Sequence, residues 1–157
     1  MSNFAAIALH DRLGRLLDHL QPLLLLGTRL WVSWVFLKSG WLKLTTWDST
    51  LALFEYEYQV PLLAPKIAAA AATFGELFFP CLLVLGLITR VGALGLFAVN
   101  AMAVVSYWHV LGAEGSEAGL LQHQLWGFMI AVLLAWGGGA LSLDALLQRR
   151  AGARPPA

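Results

Sequence analysis

The chain has 157 residues, of which 59% are hydrophobic and 12% charged, and its formal net charge is +1. So apolar a composition is typical of a protein that lies in lipid, because a soluble domain of this length needs a larger polar shell. The nearly balanced charge gives no indication of nucleic-acid binding. The single cysteine, Cys81, excludes a thiol–disulfide relay carried by this chain alone.

Residues 1–21 predict an amphipathic helix that lies in the headgroup region of a membrane. Leu13 and Leu16 share one face, while Arg12 and His19 lie elsewhere around the helix. A frayed polar tail is the alternative interpretation. The segment does not predict a cleavable signal peptide, because its apolar run begins late and lacks a small-residue cleavage site.

Four stretches predict membrane-spanning helices, since about 20 apolar residues are needed to cross roughly 30 Å of hydrocarbon. The predicted fold is all-α: a four-helix transmembrane bundle over residues 22–147, followed by a basic, disordered cytoplasmic tail over residues 148–157. The predicted spans are residues 22–44, 67–87, 91–111 and 121–143.

The loop between the first two spans predicts a short amphipathic helix. Trp47, Leu51, Phe54 and Tyr58 recur at helical spacing, and Pro61 then ends the pattern. Aromatic rings of this kind are typical of the membrane interface, so the segment is interpreted as an anchor on the outer face. A lid over a cavity between the spans is the alternative.

Loop charges predict the topology. Basic residues concentrate at both termini and in the second loop, whereas the first and third loops are acidic, so both termini are expected on the cytoplasmic side of a bacterial inner membrane. The basic residues are Arg12, Arg15, Arg90, Arg149, Arg150 and Arg154, and the acidic ones are Asp48, Glu55, Glu57, Glu114 and Glu117.

Ionisable side chains inside the predicted spans indicate an interior site. A charge in hydrocarbon costs several kcal/mol unless it is paired or reaches water. A rise of about 1.5 Å per residue places Arg29, Glu76 and Asn100 at similar depths. Arg29 shares a helix face with Lys43, whereas Lys38 lies on the opposite, tryptophan-rich face. The sequence predicts an Arg29–Glu76 ion pair, and its interpretation as a structural lock or a functional site stays open.

Two histidines predict a second polar level near the outer edge. His109 ends the third span beside Tyr107, and His123 opens the fourth after a short loop, so the two imidazoles are expected to approach each other. Such a pair is a candidate ligand for haem iron, copper or a quinone carbonyl. The alternative is two interfacial histidines hydrated among headgroups.

Three blocks of residues resemble the DoxX family of small four-helix membrane proteins, over roughly residues 22–147. The first block is Arg-x10-Gly-x2-Lys, the second is Gly-Glu followed by Leu-x-Leu-Gly-Leu-x-Thr-Arg, and the third is Gly-x-Gly-x2-Ser-Leu-Asp. They comprise Arg29, Gly40 and Lys43; Gly75, Glu76, Leu83, Leu85, Gly86, Leu87, Thr89 and Arg90; and Gly137, Gly139, Ser142, Leu143 and Asp144.

The family is named after a membrane subunit of thiosulfate:quinone oxidoreductase. The resemblance therefore implies a quinone-linked redox role, or association with redox partner proteins. The fourth span departs from the commoner family pattern, because His123 to Gly127 stand where an acidic residue is often expected.

Two functions are carried forward from the sequence. The first is a membrane subunit of a quinone-dependent redox system, with quinone and possible haem as cofactors and a redox protein and the lipid bilayer as partners; homo-oligomerisation through glycine-rich faces is a further expectation. The second is a non-catalytic platform for a soluble or secreted partner, so enzymatic activity stays open. The candidate catalytic residues are Glu76, His109 and His123, and the candidate cofactor-binding residues are Arg29, Trp34, Lys38, Asn100, Tyr107 and Trp126.

Overall fold

A computed structural model describes residues 2–152 of the protein, apart from the side chains of residues 2–6, 8, 9 and 15. Every regular element in this part of the chain is an α-helix. The predicted tail begins inside the last helix, and its residues 153–157, including Arg154, lie outside the described residues, as does the side chain of Arg15. The helices are α1 (Ser2–Asp18), α2 (Gln21–Thr45), α3 (Trp47–Tyr56), α4 (Pro65–Leu85), α5 (Thr89–Ser106), α6 (Trp108–Leu111), α7 (Glu117–Trp136) and α8 (Leu143–Arg150).

Four long helices confirm the predicted all-α membrane fold. The helical stretch His10–Thr45, which contains α2, and the helices α4, α5 and α7 are long and apolar enough to cross a membrane. The third predicted span is shorter in the structure, because α5 ends at Ser106 and the separate turn α6 follows. The fourth ends at Trp136, because Gly137 and Gly139 adopt φ angles of +75° and +69° that stop the helix.

The core lies where α2, α4, α5 and α7 meet. Each helix turns a stripe of apolar side chains inward, and Val32, Leu83, Leu96, Ile130 and Leu133 are completely buried there. Lipid is as apolar as these side chains, so close packing decides how the helices associate.

The helices α2 and α4 run antiparallel in a register that small residues fix. A Cβ added to Gly40 would lie 3.0 Å from Cβ of Glu76, so only glycine lets the two helices approach at this level. Farther along the pair, the guanidinium of Arg29 packs against Gly86. Gly40 therefore lies opposite Glu76, and Arg29 lies opposite the end of α4.

The short helix α3 lies beyond the end of α2 and packs on the first turns of α4. Phe54 forms a small apolar cluster there with Ala68 and Ala69. Gly40 precedes the end of α2 by about 8 Å, whereas Glu76 lies about 16 Å from the start of α4. Since these two residues are level, α4 begins about 8 Å beyond α2, and α3 occupies that step. We call this end of the bundle the α3 end and the opposite one the α8 end.

Candidate functional site

A cavity of about 530 Å³ lies among α2, α4, α5 and α7 at the α3 end. Its walls are largely apolar, and Phe54, Tyr58 and Val60 from α3 and the following loop cover it. This volume falls in the range of sites that bind small molecules. The predicted helix in the first loop thus contributes residues to the roof of a cavity, as the lid interpretation expects.

An ion pair between Lys43 and Glu76 lies on the cavity wall. Nζ of Lys43 is 2.8 Å from Oε2 and 3.0 Å from Oε1 of Glu76, and it also donates to Oγ of Ser39 at 2.7 Å. The three hydrogens of the ammonium are thus all engaged. The Glu76 side chain is only 9% exposed, so the ammonium provides the charge compensation that this carboxylate needs.

The predicted ion pair between Arg29 and Glu76 is wrong. The face prediction is confirmed, because Arg29, Gly40 and Lys43 lie on the same inward side of α2. The error is in the depth, because the count of residues along each span placed Arg29 and Glu76 at similar levels. Because α4 begins about 8 Å beyond the end of α2, Glu76 meets Gly40 and Lys43 instead.

Arg29 belongs to a second polar cluster, at the α8 end. It is 1% exposed, and its Nη2 donates to the carbonyl oxygen of Leu141 at 2.8 Å. The guanidinium fits against Gly86 and Gly138, where no side chain would leave it room. Its Nε and Nη1 have no hydrogen-bond partner within residues 2–152. This residue therefore joins α2 to the turns that follow α4 and α7.

Asp144 completes this cluster. Its carboxylate accepts hydrogen bonds from the backbone N–H groups of Ile88 and Thr89 at 2.7 and 2.8 Å, and from the Thr89 hydroxyl at 2.7 Å. These donors lie at the start of α5, where helical N–H groups lack partners and a negative charge is stabilising. Two of the motif blocks therefore meet here, in a structural joint between the start of α5 and the start of α8.

Replacing Asp144 with alanine is expected to lower the free energy of unfolding by about 2–3 kcal/mol, because three charge-assisted hydrogen bonds are lost. Asp144→Asn, which keeps one acceptor oxygen, is expected to lose about half as much. Denaturant unfolding in detergent measures both variants. Equal stability of the alanine variant and the wild type would show that Asp144 does not hold the joint.

Asn100 and His123 form a second polar pair next to the cavity. The Asn100 amide nitrogen donates to the backbone carbonyl of His123 at 3.0 Å, and its oxygen lies 2.9 Å from Nδ1 of the His123 ring. That oxygen can only accept, so Nδ1 must donate, and in the neutral ring Nε2 keeps its lone pair. His123 lines the cavity, and Gly127 leaves room for the Asn100 amide.

An aromatic row connects the cavity roof to the outside of the bundle. Tyr58 and Tyr107 line the cavity with ring centroids 5.1 Å apart, and Tyr107 is 5.5 Å from the exposed ring of His109. Burial raises the pKa of the Tyr58 phenol, and the neighbouring Tyr107 and Glu76 raise it further. The Tyr58 phenol therefore stays protonated, as a hydrogen-bond donor, at neutral pH.

The structure brings together part of the predicted site. Glu76, Tyr107, His123 and Trp126 line the cavity, and Asn100 holds His123. Four other candidates do not line it: Arg29 is at the α8 end, and Trp34, Lys38 and His109 are exposed.

Among residues 2–152, no group of three or more His, Cys, Asp or Glu side chains is arranged to hold a metal ion. The tryptophan-rich face of α2, which carries the candidate cofactor-binding residues Trp34 and Lys38, points away from the cavity. Trp31, Trp34 and Trp41 are 61%, 66% and 63% exposed.

Lys43, Ser39, Tyr58 and Ser106 line the cavity but were not predicted as site residues. Lys43 could have been predicted from the sequence, since it is the lysine of the first motif block and lies on the same face as Gly40. Ser106 could not have been predicted, because a single serine near a helix end is common. The residue is 4% exposed, and its hydroxyl has no hydrogen-bond partner among the described residues.

Comparisons with known proteins agree with the motif blocks. The DoxX family model matches residues 24–109, which is more than half of the chain. An uncharacterized protein of Haemophilus influenzae is 30% identical over 129 residues, which cover 80% of this chain and 83% of that protein. No solved structure matches the chain. With its four membrane-length helices, the chain is a multi-pass membrane protein that belongs to the DoxX family.

Proposed function

We propose that this chain is the membrane subunit of a quinone-linked redox system and that its cavity binds the quinone ring. One observation carries the proposal: two polar pairs, Lys43 with Glu76 and Asn100 with His123, lie at the same largely apolar cavity. A few placed polar groups in an apolar wall are typical of sites that orient a small apolar ligand. Membership of the DoxX family supports the redox role.

The cavity residues fit a quinone. The ring is a flat apolar body whose two carbonyl oxygens accept hydrogen bonds, and the hydroxyl groups of Tyr58 and Tyr107 offer donors around the cavity. The buried Ser106 hydroxyl lacks a partner within the described chain, and an unmade hydrogen bond of this kind costs about 1–3 kcal/mol. A ligand oxygen in the cavity would supply the missing partner.

When bound, a quinone supplies two-electron, two-proton chemistry, and the chain's own residues hold it and handle protons. The hydrogen bond to Asn100 fixes the orientation of the His123 ring and keeps the proton of the neutral ring on Nδ1. Nε2 is then the ring atom that can take up or return a proton. Glu76 is a second candidate proton acceptor, and its hydrogen bonds to Lys43 hold the carboxylate at the cavity wall.

The electrons are exchanged with a partner protein, because the sequence contains no flavin or nucleotide motif. We place the α3 end outside a bacterial inner membrane, with both termini in the cytoplasm. Exposed Glu55, Glu57 and Glu114 near the α3 end, against exposed Arg90 and Arg149 near the α8 end, support this orientation. The redox partner would then dock over the cavity roof.

Protein purified in mild detergent is expected to contain quinone that organic extraction releases, and to bind a short-tailed quinone. Replacing Tyr107 with phenylalanine is expected to weaken that binding about tenfold, which corresponds to one hydrogen bond of about 1.4 kcal/mol. Quenching of tryptophan fluorescence measures the affinity, since Trp126 lines the cavity.

Tyr56→Phe is the matched control, because this tyrosine is 80% exposed and does not line the cavity. Its variant is expected to bind the short-tailed quinone like the wild type. Equal weakening in both variants would place the binding site outside the cavity. Protein that neither contains nor binds quinone would favour the non-catalytic platform, and an ultraviolet–visible spectrum with a Soret band would instead indicate haem.

A further inference from the structure

We propose that the cavity opens sideways between α4 and α5, so that a ligand enters from the lipid and leaves its apolar tail in the bilayer. This inference rests on the proposed function and specifies the ligand class: a molecule with a compact polar head and a long apolar tail. The head lies among the polar side chains inside, and the tail passes through the seam between the two helices.

The first observation is that several cavity-lining residues also belong to the outer surface of the bundle. Leu63 and Met102 are 45% and 44% exposed, and Ala71 and Ala98 are exposed too, although all four line the cavity. Leu63 lies in the loop before α4 and Ala71 lies in α4, whereas Ala98 and Met102 belong to α5. The cavity is therefore continuous with the surface along this seam.

The second observation is the size of the side chains along the seam. Residues 68–72 of α4 are all alanine, and Ala68, Ala71 and Ala72 line the cavity together with Met102 and Ala103 of α5. Nearer the α8 end the seam is closed, because a Cβ on Gly75 would lie 2.7 Å from Cγ2 of Val99. Alanine is too short to close the gap, and methionine is flexible enough to move aside.

The third observation is the separation of polar and apolar lining. Lys43, Glu76, Ser106 and His123, which supply hydrogen-bonding and charged groups, have little exposure or are half-buried inside the bundle. The seam residues offer no side-chain polar group. A ligand that satisfies both parts must be amphipathic, with its head toward the polar groups and its tail toward the seam.

The surface outside the seam is suited to lipid contact. Phe74 and Phe78 of α4 stack with ring centroids 5.0 Å apart and are 61% and 44% exposed. On α5, Val105 follows Met102 by about one helical turn and is 56% exposed. At the α3 end, by contrast, Phe54 and Tyr58 cover the cavity. A ligand that enters the cavity from the hydrocarbon therefore has fewer side chains in its way than one that enters from water at the α3 end.

Replacing Ala71 with phenylalanine tests the seam, because the larger ring fills the gap without changing a polar group. Two ubiquinones serve as probes, one with a single-isoprene tail and one with the full-length membrane tail, each titrated into protein in lipid nanodiscs. Ala71→Phe is expected to weaken long-tail binding about tenfold while short-tail affinity stays within about twofold.

Ala70→Phe is the matched control, since Ala70 is the neighbouring exposed residue of α4 and does not line the cavity. It is expected to bind both quinones like the wild type, and melting curves check that both variants fold. Ala71→Phe protein that binds both quinones normally, or loses both equally, would overturn the seam. Wild-type protein that binds neither quinone would overturn the proposed function itself, whereas normal short-tail binding leaves that function standing.

Discussion

Replacing Glu76 with leucine is expected to lower the free energy of unfolding by about 3–5 kcal/mol, because the variant leaves the Lys43 ammonium without its counter-charge. The carboxylate side chain is 9% exposed and that of Lys43 is 16% exposed, so solvent compensates little of the loss. Only the hydrogen bond from Lys43 to Ser39 remains. Unfolding in mixed micelles, followed by circular dichroism, measures the change.

The double variant Lys43→Met with Glu76→Leu is expected to recover most of the lost stability, because it removes both charges and keeps the volume. It is not expected to recover binding of a short-tailed quinone, so the two measurements separate stability from function. Glu55→Gln changes an exposed carboxylate on α3 and is expected to shift stability by less than about 0.5 kcal/mol. A double variant as unstable as Glu76→Leu would show that the ion pair is not the source of the effect.

Gly86→Ala is expected to destabilise the protein by several kcal/mol, for two reasons. Gly86 has a φ of +66°, a left-handed conformation that costs other L-residues about 1–2 kcal/mol. Its new Cβ would also overlap Nη1 of Arg29, and this guanidinium is buried and cannot move into solvent. A substantial fraction of the variant is therefore expected to fail to assemble, as seen by size-exclusion chromatography.

Gly27→Ala provides the matched comparison. Gly27 lies inside α2, and a Cβ added there would meet nothing within 4 Å. Alanine is the better helix former by roughly 0.5–1 kcal/mol, so this variant is expected to be at least as stable as the wild type. Similar behaviour of the two glycine variants would show that the Arg29 cluster does not constrain Gly86.

The sequence predicts the helices well because the signal for each is local. A run of about 20 apolar residues identifies a span wherever its neighbours lie. The inward face of α2 follows from its periodicity, which predicted one face for Arg29 and Lys43, and Ser33 and Phe36 are buried on the same face. The end of α7 was misplaced, because an apolar window does not reveal that Gly137 adopts a positive φ.

The register between α2 and α4 could not be predicted from the sequence, and the composition of the site depends on that register. Lys43 and Arg29 share one face, so periodicity alone cannot say which of them meets Glu76. The answer depends on α3, whose packing against Ala68 and Ala69 lets α4 begin beyond the end of α2. Asn100 does lie near the level of Glu76, as predicted, because Gly75 packs against Val99, but its hydrogen bonds go to His123 on α7.

The contact between Arg29 and Leu141 bears on how the chain is made. These residues are 112 positions apart, so the guanidinium emerges from the ribosome long before its acceptor exists. Until α7 and its closing turn are inserted, three spans coexist with a cationic group that lacks its carbonyl partner. The nascent bundle therefore stays incomplete until residues 141–144 have been made, and truncation anywhere before Asp144 leaves the α4–α5 turn without its carboxylate.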